Sequence, residues 1–453
     1  MTSEQYFVLT LPLKPDIRQQ HLLEKRFEIN RQIYNALLSK AYRRYRQMAQ
    51  TRAYRRICQQ LAIEEEKETR KELLRERDQL VKQYRLTRAD ICRDATSYRR
   101  HYKEHTDSPI TQNLAADVWR AVDALVKGQA EQVWEKKELH SLSGKTNQTS
   151  IKYRNGTLLW KNLELPAGLK HNAYETEALK NELRFCRIKR EEIRGKKRYF
   201  AELVLKGKPP VKHLQSRKAQ KVGLTLGFRQ IAVVSREKAV IYLLPGKAQK
   251  LEAEKKKISA YMERSRKAQN PDNYEANGTL RKGSSEWKLS ASYRKAKKRY
   301  RELCRKQRAL QKEEQFRLAE AIAASGTEFY IEAIQYTKLR RRKPNGRYVQ
   351  SYSPARFRTI LEHKLKQQDK ELIFIQPFIL KAAGFNHHTG TYQNMPLRKS
   401  WRIVDGQRVD KKLYSAFLLG HVSEDLKHFD QEACRLDYAG FLELQTEYLQ
   451  AAG

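Results

Sequence analysis

Two divalent cations held about 4 Å apart can clamp the attacking and leaving oxygens of a phosphodiester, and carboxylates converging from separate strands must hold them. That chemistry calls for three acids. Glu332 is one candidate, because it closes the apolar run TEFYIEAI at 327–334. A second apolar run, VGLTLGFRQIAVVS at 222–235, reads as strand, glycine turn and strand. The residue that would point from it into the same site, between Leu224 and Leu226, is Thr225. The plainer reading of Glu332, a strand-end carboxylate that merely pairs with a nearby cation, is the favoured one.

A different chemistry is written in basic clusters that carry tyrosines: AYRRYRQ at 41–47, RAYRR at 52–56 and SYRRHYK at 97–103. Arginine and lysine neutralise phosphates and release counterions, and a tyrosine ring offers a platform for unpaired bases. Together they suit a structured RNA with single-stranded parts. The candidate contacts are Arg43, Arg44, Arg55, Arg56, Arg99 and Arg100, with Tyr42, Tyr45 and Tyr54, and Arg340, Arg341 and Arg342 beside the strand-end site. Any one cluster is compatible with a solvated helical face. Collectively that reading is poor, because 93 Lys and Arg against 52 Asp and Glu leave a net charge of +41. Such a charge attracts polyanions and excludes most metabolic enzymes.

The metal-binding signals are weak. Five cysteines, Cys58, Cys92, Cys186, Cys304 and Cys434, are far apart and form no C-x-x-C pair, so they read as reduced and mostly buried thiols. His101 and His105 are spaced to share a helix face, but without supporting ligands a solvated or core role is favoured. Residues 1–13 lack the pattern of a signal peptide, and no apolar run approaches the roughly 20 residues of a spanning helix. A protein of the prokaryotic cytoplasm or nucleoid, without a membrane partner, is expected.

The elements that must position these residues follow from periodicity. YFVLTLPL at 6–13 is a strand, and Leu23, Phe27, Asn30, Tyr34, Leu38, Ala41, Tyr45 and Met48 then recur at helical spacing. Charged helical sequence continues to about 133. IKYRNGTLLW at 151–160 reads as a hairpin turning at Asn155-Gly156, and 184–210 as two strands around Gly195. Beyond 220, strands alternate with helices: a helical hairpin at about 248–268 and 289–310, the strand ending at Glu332, a helix at about 354–368, a strand at 371–378 and a closing helix from about 411. That alternation points to an α/β domain. The stripe at 289–310 reads as hairpin core.

VGLTLG at 222–227, YIEAIQYTKL at 330–339 and KKLYSAFLL at 411–419 resemble, in order, the three RuvC motifs of TnpB transposon nucleases and their type V CRISPR (Cas12) relatives. FNHHTGTYQ at 385–393 and MPLRKSW at 395–401 extend the resemblance over nearly the whole chain. It implies a multi-domain α/β protein. An N-terminal β-barrel wedge domain would cover 1–15 plus 145–215, an inserted helical recognition lobe 16–144, and an RNase H-like RuvC domain 216–453. The last would carry a helical hairpin insertion at 248–322 and a degenerate, zinc-less nucleic-acid-binding segment at 380–405.

Carried over residue by residue, the family's catalytic Asp, Glu and Asp fall on Thr225, Glu332 and Lys412. One acid survives, and a lysine stands where a cation should sit. The resemblance therefore implies a nuclease-dead, RNA-guided DNA-binding protein that needs a guide RNA and a double-stranded DNA target and has no functional Mg or Zn site. Lys412 would pair with Glu332. Transcriptional repression by a stable R-loop is the expected output, with CRISPR silencing or recruitment of another effector protein as variants. Two alternatives stay open: an active Mg-dependent endonuclease that uses Glu332 with Asp410, and an RNA-binding protein with no guided target.

Overall fold

The computed structural model describes residues 5–210, 220–244, 246–281, 283, 286–336, 354–393 and 399–452. The chain forms two compact units, Met1–Pro210 and Val211–Gly453. Among the described residues no helix is long and apolar enough to cross a membrane.

In the first unit, strand β1 (Tyr6–Leu13) alternates faces and turns Phe7, Leu9, Leu11 and Leu13 inward. Asp16 then starts helix α1 (Ile17–Ala49) with a capping box closed by Gln19. Its buried stripe of Leu23, Phe27, Ile33, Leu37 and Leu38 packs into a core shared with α5 (Ser108–Val126). Between them lie α2 (Arg52–Ile63), α3 (Lys67–Gln83) and α4 (Arg88–His101). The strands β2 (Ser141–Ser143), β3 (Ile151–Arg154), β4 (Thr157–Trp160) and β5 (Leu163–Pro166), helix α6 (Ala173–Ala178), and strands β6 (Leu183–Ile193) and β7 (Lys196–Lys206) complete the unit. They form a four-stranded sheet in the order β1-β7-β6-β2 and a three-stranded sheet β3-β4-β5. Asn155 and Gly156 both take positive φ (47° and 77°), as the two-residue turn between β3 and β4 requires.

The second unit is built on β8 (Lys221–Leu226), β9 (Gln230–Ser235), β10 (Lys238–Leu243), helices α7 (Lys250–Gln269) and α8 (Ala291–Ala323), strand β11 (Glu328–Glu332), helix α9 (Pro354–Gln367) and strand β12 (Glu371–Ile375). There follow α10 (Pro377–Leu380), the hairpins β13 (Phe385–Asn386) with β14 (Thr391–Tyr392) and β15 (Trp401–Val404) with β16 (Gln407–Asp410), then α11 (Lys411–Gly420) and α12 (Gln431–Ala452). The sheet order is β10-β9-β8-β11-β12, with β9 antiparallel to both neighbours and β8, β11 and β12 parallel. One face packs on α8 and α9 through Val222, Leu224, Phe329 and Ile331. The other packs on α11 and α12 through Ala232, Val234, Tyr330 and Ile375.

Several expectations need correction. The run at 371–378 stops as a strand at Ile375, because Pro377 has no N–H for a ladder and instead opens a helical turn. The closing helix is two helices, interrupted after Gly420 by a turn in which Ser423 and Asp425 bond each other and the Lys427 and His428 amides. His105 lies beyond the end of α4, so it shares no helix face with His101. Of the five thiols, only Cys186 and Cys434 are buried.

Candidate functional site

Gly223 and Thr225 share one face of β8, since strand side chains alternate. Gly223 lies directly beneath α11: a Cβ placed on it would be 1.7 Å from the Ala416 carbonyl oxygen and 2.6 Å from the Gly420 nitrogen. Gln220 and Lys221, at the start of the strand, line a cavity of about 450 Å³ together with Phe417, Gly420 and His421. Helix α11 therefore runs antiparallel to β8. Two residues along the strand advance about 6.6 Å, which equals about four residues of helix. Counting back from Ala416, Thr225 comes level with the first turn of α11, where Lys412 sits.

Strand β11 brings the third position. Its parallel register pairs Gly223 with Tyr330 and Leu224 with Ile331. The next step sets Glu332 beside Thr225, on the face that carries Tyr330 into the α11 core. Thr225, Glu332 and Lys412 thus share one end of the sheet under α11, although they are far apart in sequence.

The side chains there are poorly matched. The Thr225 hydroxyl is buried with no hydrogen-bond partner among the described residues. Burial alone pushes the Glu332 carboxyl above the usual carboxylate range. Lys412 is exposed as a residue, yet desolvation lowers its pKa, with nearby Asp410 acting the other way. Among the described residues no ion pair joins Glu332 to Lys412, contrary to expectation. The spare acid, Asp410, is already in use: its Oδ1 accepts from the Lys412 and Leu413 amides at 2.8 and 3.1 Å and caps α11.

The two hairpins at 385–410 are held by side chains. His387 is buried; its amide donates to the Tyr414 hydroxyl at 3.1 Å, and its Nδ1 lies 2.7 Å from the same oxygen. The one hydroxyl thus serves both the His387 amide and Nδ1, and which ring nitrogen carries the proton sets the direction of the second bond. Burial, helped by His388, Arg435 and His421, lowers the His387 pKa to about 4. His388 turns elsewhere, with Nε2 3.4 Å from Asp405. Buried Arg402 donates to the Phe385 carbonyl at 2.9 Å and lies over the Tyr414 ring.

The basic clusters of the helical region divide into committed and uncommitted residues. Arg44 pairs with Asp94 at 2.6 Å and also bonds the Arg85 carbonyl. Arg56 pairs with Glu76 at 2.7 Å, and Arg55 reaches the Ala49 carbonyl at 3.4 Å. Tyr54 is buried and donates to the Val126 carbonyl, so it is no stacking platform. Tyr42 and Tyr45 stack on each other at 6.1 Å. Arg43 and Arg100 are exposed and Arg99 half-buried. Arg340, Arg341 and Arg342 lie outside the described residues. Sequence reading missed Arg46, Gln47 and Gln50, which with Ser39, Tyr42 and Arg43 line a depression of about 320 Å³ on α1. Their spacing of three and four residues was the available signal.

No protein-family model matches the chain, and no curated protein matches it. Among solved structures it is similar in fold to a cryo-electron-microscopy structure of a Cas12f1–sgRNA–target DNA complex. The TM-score is 0.52 at 11% identity, over 91% of this chain and 98% of that one. A CRISPR–Cas12f ternary complex aligns over 90% of this chain and 85% of that one at 14% identity, with a TM-score of 0.30.

Proposed function

We propose that the chain is an RNA-guided DNA-binding protein that grips its target without cutting it. What supports this reading is the strand-end trio: strand register and the β8–α11 approach bring positions 225, 332 and 412 toward one end of the sheet, and Glu332 is the one carboxylate of the three. Magnesium demands near-octahedral oxygen ligation. A neutral hydroxyl contributes little to it, and an ammonium group repels the ion. These residues do not fit a pair of divalent cations.

The strand order, with antiparallel β9 and β10 on one side of β8 and the two parallel strands β11 and β12 on the other, supports reading the second unit as an RNase H-like RuvC domain. The hairpins at 385–410 then take the place of the family's zinc ribbon, cross-linked by His387–Tyr414 and Arg402. The first unit becomes the β-barrel wedge with its helical lobe. Similarity in fold to Cas12f1, a protein seen with sgRNA and target DNA, supports a guide RNA and a DNA target as partners. Base pairing would supply sequence specificity while the protein holds the backbone of the heteroduplex. A stable R-loop over a promoter blocks polymerase, so repression is the output.

The test is to purify the protein with its RNA, sequence that RNA, and offer the matched DNA with Mg²⁺. One dominant RNA with a constant scaffold and a variable end is expected, together with bound and uncut target. Cuts that disappear in Glu332→Ala would overturn the non-cleaving reading. Heterogeneous RNA would overturn the guided one.

A further inference from the structure

We propose that the cavity bounded by the start of β8, the end of β9 and helices α11 and α12 is a slot for one unpaired nucleobase, a role that rests on the RNA-guided reading above. Its volume of about 450 Å³ lies within the range of small-ligand sites. Phe417 and Phe441, stacked 4.8 Å apart, stand in its wall, and Leu436 and Leu444 line it from α12. Leu436 is 78% exposed, so part of this apolar lining is left to solvent.

Gly440 marks where the ligand lies. It sits inside α12, four residues after Leu436 and four before Leu444, so the three share one face of the helix. A glycine inside a helix is unfavourable relative to alanine, because it loses more backbone freedom on folding. The other glycine of the cavity, Gly420, has a packing reason to lack a side chain: a Cβ built on it would be 3.3 Å from the Gly223 nitrogen. Gly440 has no such reason, since a Cβ built there meets no atom within 4 Å. Bare backbone between two leucines is a flat shelf, open to a planar ring and closed by any larger side chain at 440.

The polar groups of the lining narrow the ligand further. Asp437 lies 3.0 Å from His421 Nε2 and 3.6 Å from Arg236 Nε, and Asp430 accepts from the Ala433 amide at 3.0 Å. Lys221, whose Nζ is 5.7 Å from the centre of the Tyr330 ring, has no carboxylate partner among the described residues. The Ser235 oxygen accepts from the Glu237 amide at 3.3 Å and keeps its own proton to donate. Two carboxylates in the wall repel a free phosphate, and a hydrocarbon chain would strip water from Lys221 and Asp437 without replacing its bonds. A nucleobase brings a π-face for the glycine shelf and an edge with both donors and acceptors. Two sources share this chemistry: the bound RNA, and an unpaired strand of the opened DNA target.

The experiment compares the full-length protein with its Gly440→Leu variant, which fills the slot. Leucine suits a helix better than glycine, so the melting temperature should rise, which separates a blocked slot from a damaged fold. Dimethyl sulfate and a carbodiimide, which between them modify all four unpaired bases, are applied to the protein with its purified RNA and to the same particle with matched DNA. In the wild type one unpaired base should be protected, and in the variant it should become as reactive as its unpaired neighbours. The affinity for that strand should fall about tenfold, as expected for the loss of one stacked base. Protection lost in the RNA assigns the slot to the guide, and protection lost only in the DNA assigns it to the target. Leu436→Ala, at an exposed position, should unmask the same base in part. A reactivity pattern identical in the wild type and both variants overturns the slot while leaving the guided reading intact, whereas a wild-type protein that carries no RNA overturns that reading first.

Discussion

Gly223 of β8 and Ala416 of α11 approach so closely that any side chain on the glycine would occupy the position of the Ala416 carbonyl, 1.7 Å from the added Cβ. This contact sets the height of α11 on the sheet and so the level of Lys412 relative to Thr225. Backbone cannot move aside as a flexible side chain can. Gly223→Ala should therefore cost at least the upper part of the usual overpacking range, about 3 kcal/mol. Urea denaturation would measure it, and a loss under about 1 kcal/mol would mean that α11 slides freely.

Glu332 should destabilise the fold when charged. Its folded-state pKa is raised by burial. Its favourable contribution is thus complete below the unfolded carboxylate pKa of about 4.3 and is lost as pH rises through the folded value. Glu332→Gln keeps the shape and removes the titration. Its melting temperature should exceed that of the wild type at pH 7, with the gap closing as pH falls toward 4. A gap that does not change with pH would contradict the burial argument.

The His387–Tyr414 pair should make the hairpin segment acid-sensitive. Burial first, then neighbouring positive groups, lower the His387 pKa to about 4, against 6.5 for an unperturbed histidine. Stability from the neutral ring is present above pH 6.5 and is lost as pH falls toward 4. Tyr414→Phe leaves Nδ1 and the His387 amide without their shared partner, at a cost of about 1–3 kcal/mol. Hydrogen exchange at 385–392, followed from pH 7 to pH 4, would show the segment opening. Protection that is indifferent to pH would argue against it.

What the sequence reveals depends on how local the physics is. The Asn155-Gly156 turn was readable because positive φ is chemically costly and few residues accept it. The ordered motifs singled out positions 225, 332 and 412, and Gly223 in the first of them is explained by its contact with α11. Pairing across distant elements was not readable. Arg44 looked available for nucleic acid, yet Asp94, fifty residues away in another helix, neutralises it. Tyr54 looked like a stacking platform, but which side of α2 meets α5 is a matter of packing that a twelve-residue window cannot decide. Glu332 and Lys412 carry opposite charges, and only the geometry shows that attraction does not bring them together.

The strongest test of the strand-end site is to rebuild it. If Thr225, Glu332 and Lys412 keep the spacing of a metal site and lack only its oxygens, then Thr225→Asp with Lys412→Asp should restore a trio of carboxylates. Aspartate at 412 lies in the first turn of α11, where the helix dipole favours negative charge. Aspartate at 225 instead buries a second carboxyl in place of a partnerless hydroxyl and should lower stability until a cation binds, so circular dichroism must first show that the double variant is folded. Calorimetry with Mn²⁺ should show binding in the double variant and none in the wild type. The variant should also cut matched target in the presence of Mg²⁺, while either single substitution should not, because two carboxylates leave one ion poorly held. Binding restored without cutting would place the remaining defect outside this trio. A double variant that is folded and still binds no metal would show that the three positions do not converge closely enough, and would remove the geometric basis for reading this site as a nuclease centre that has lost its ions.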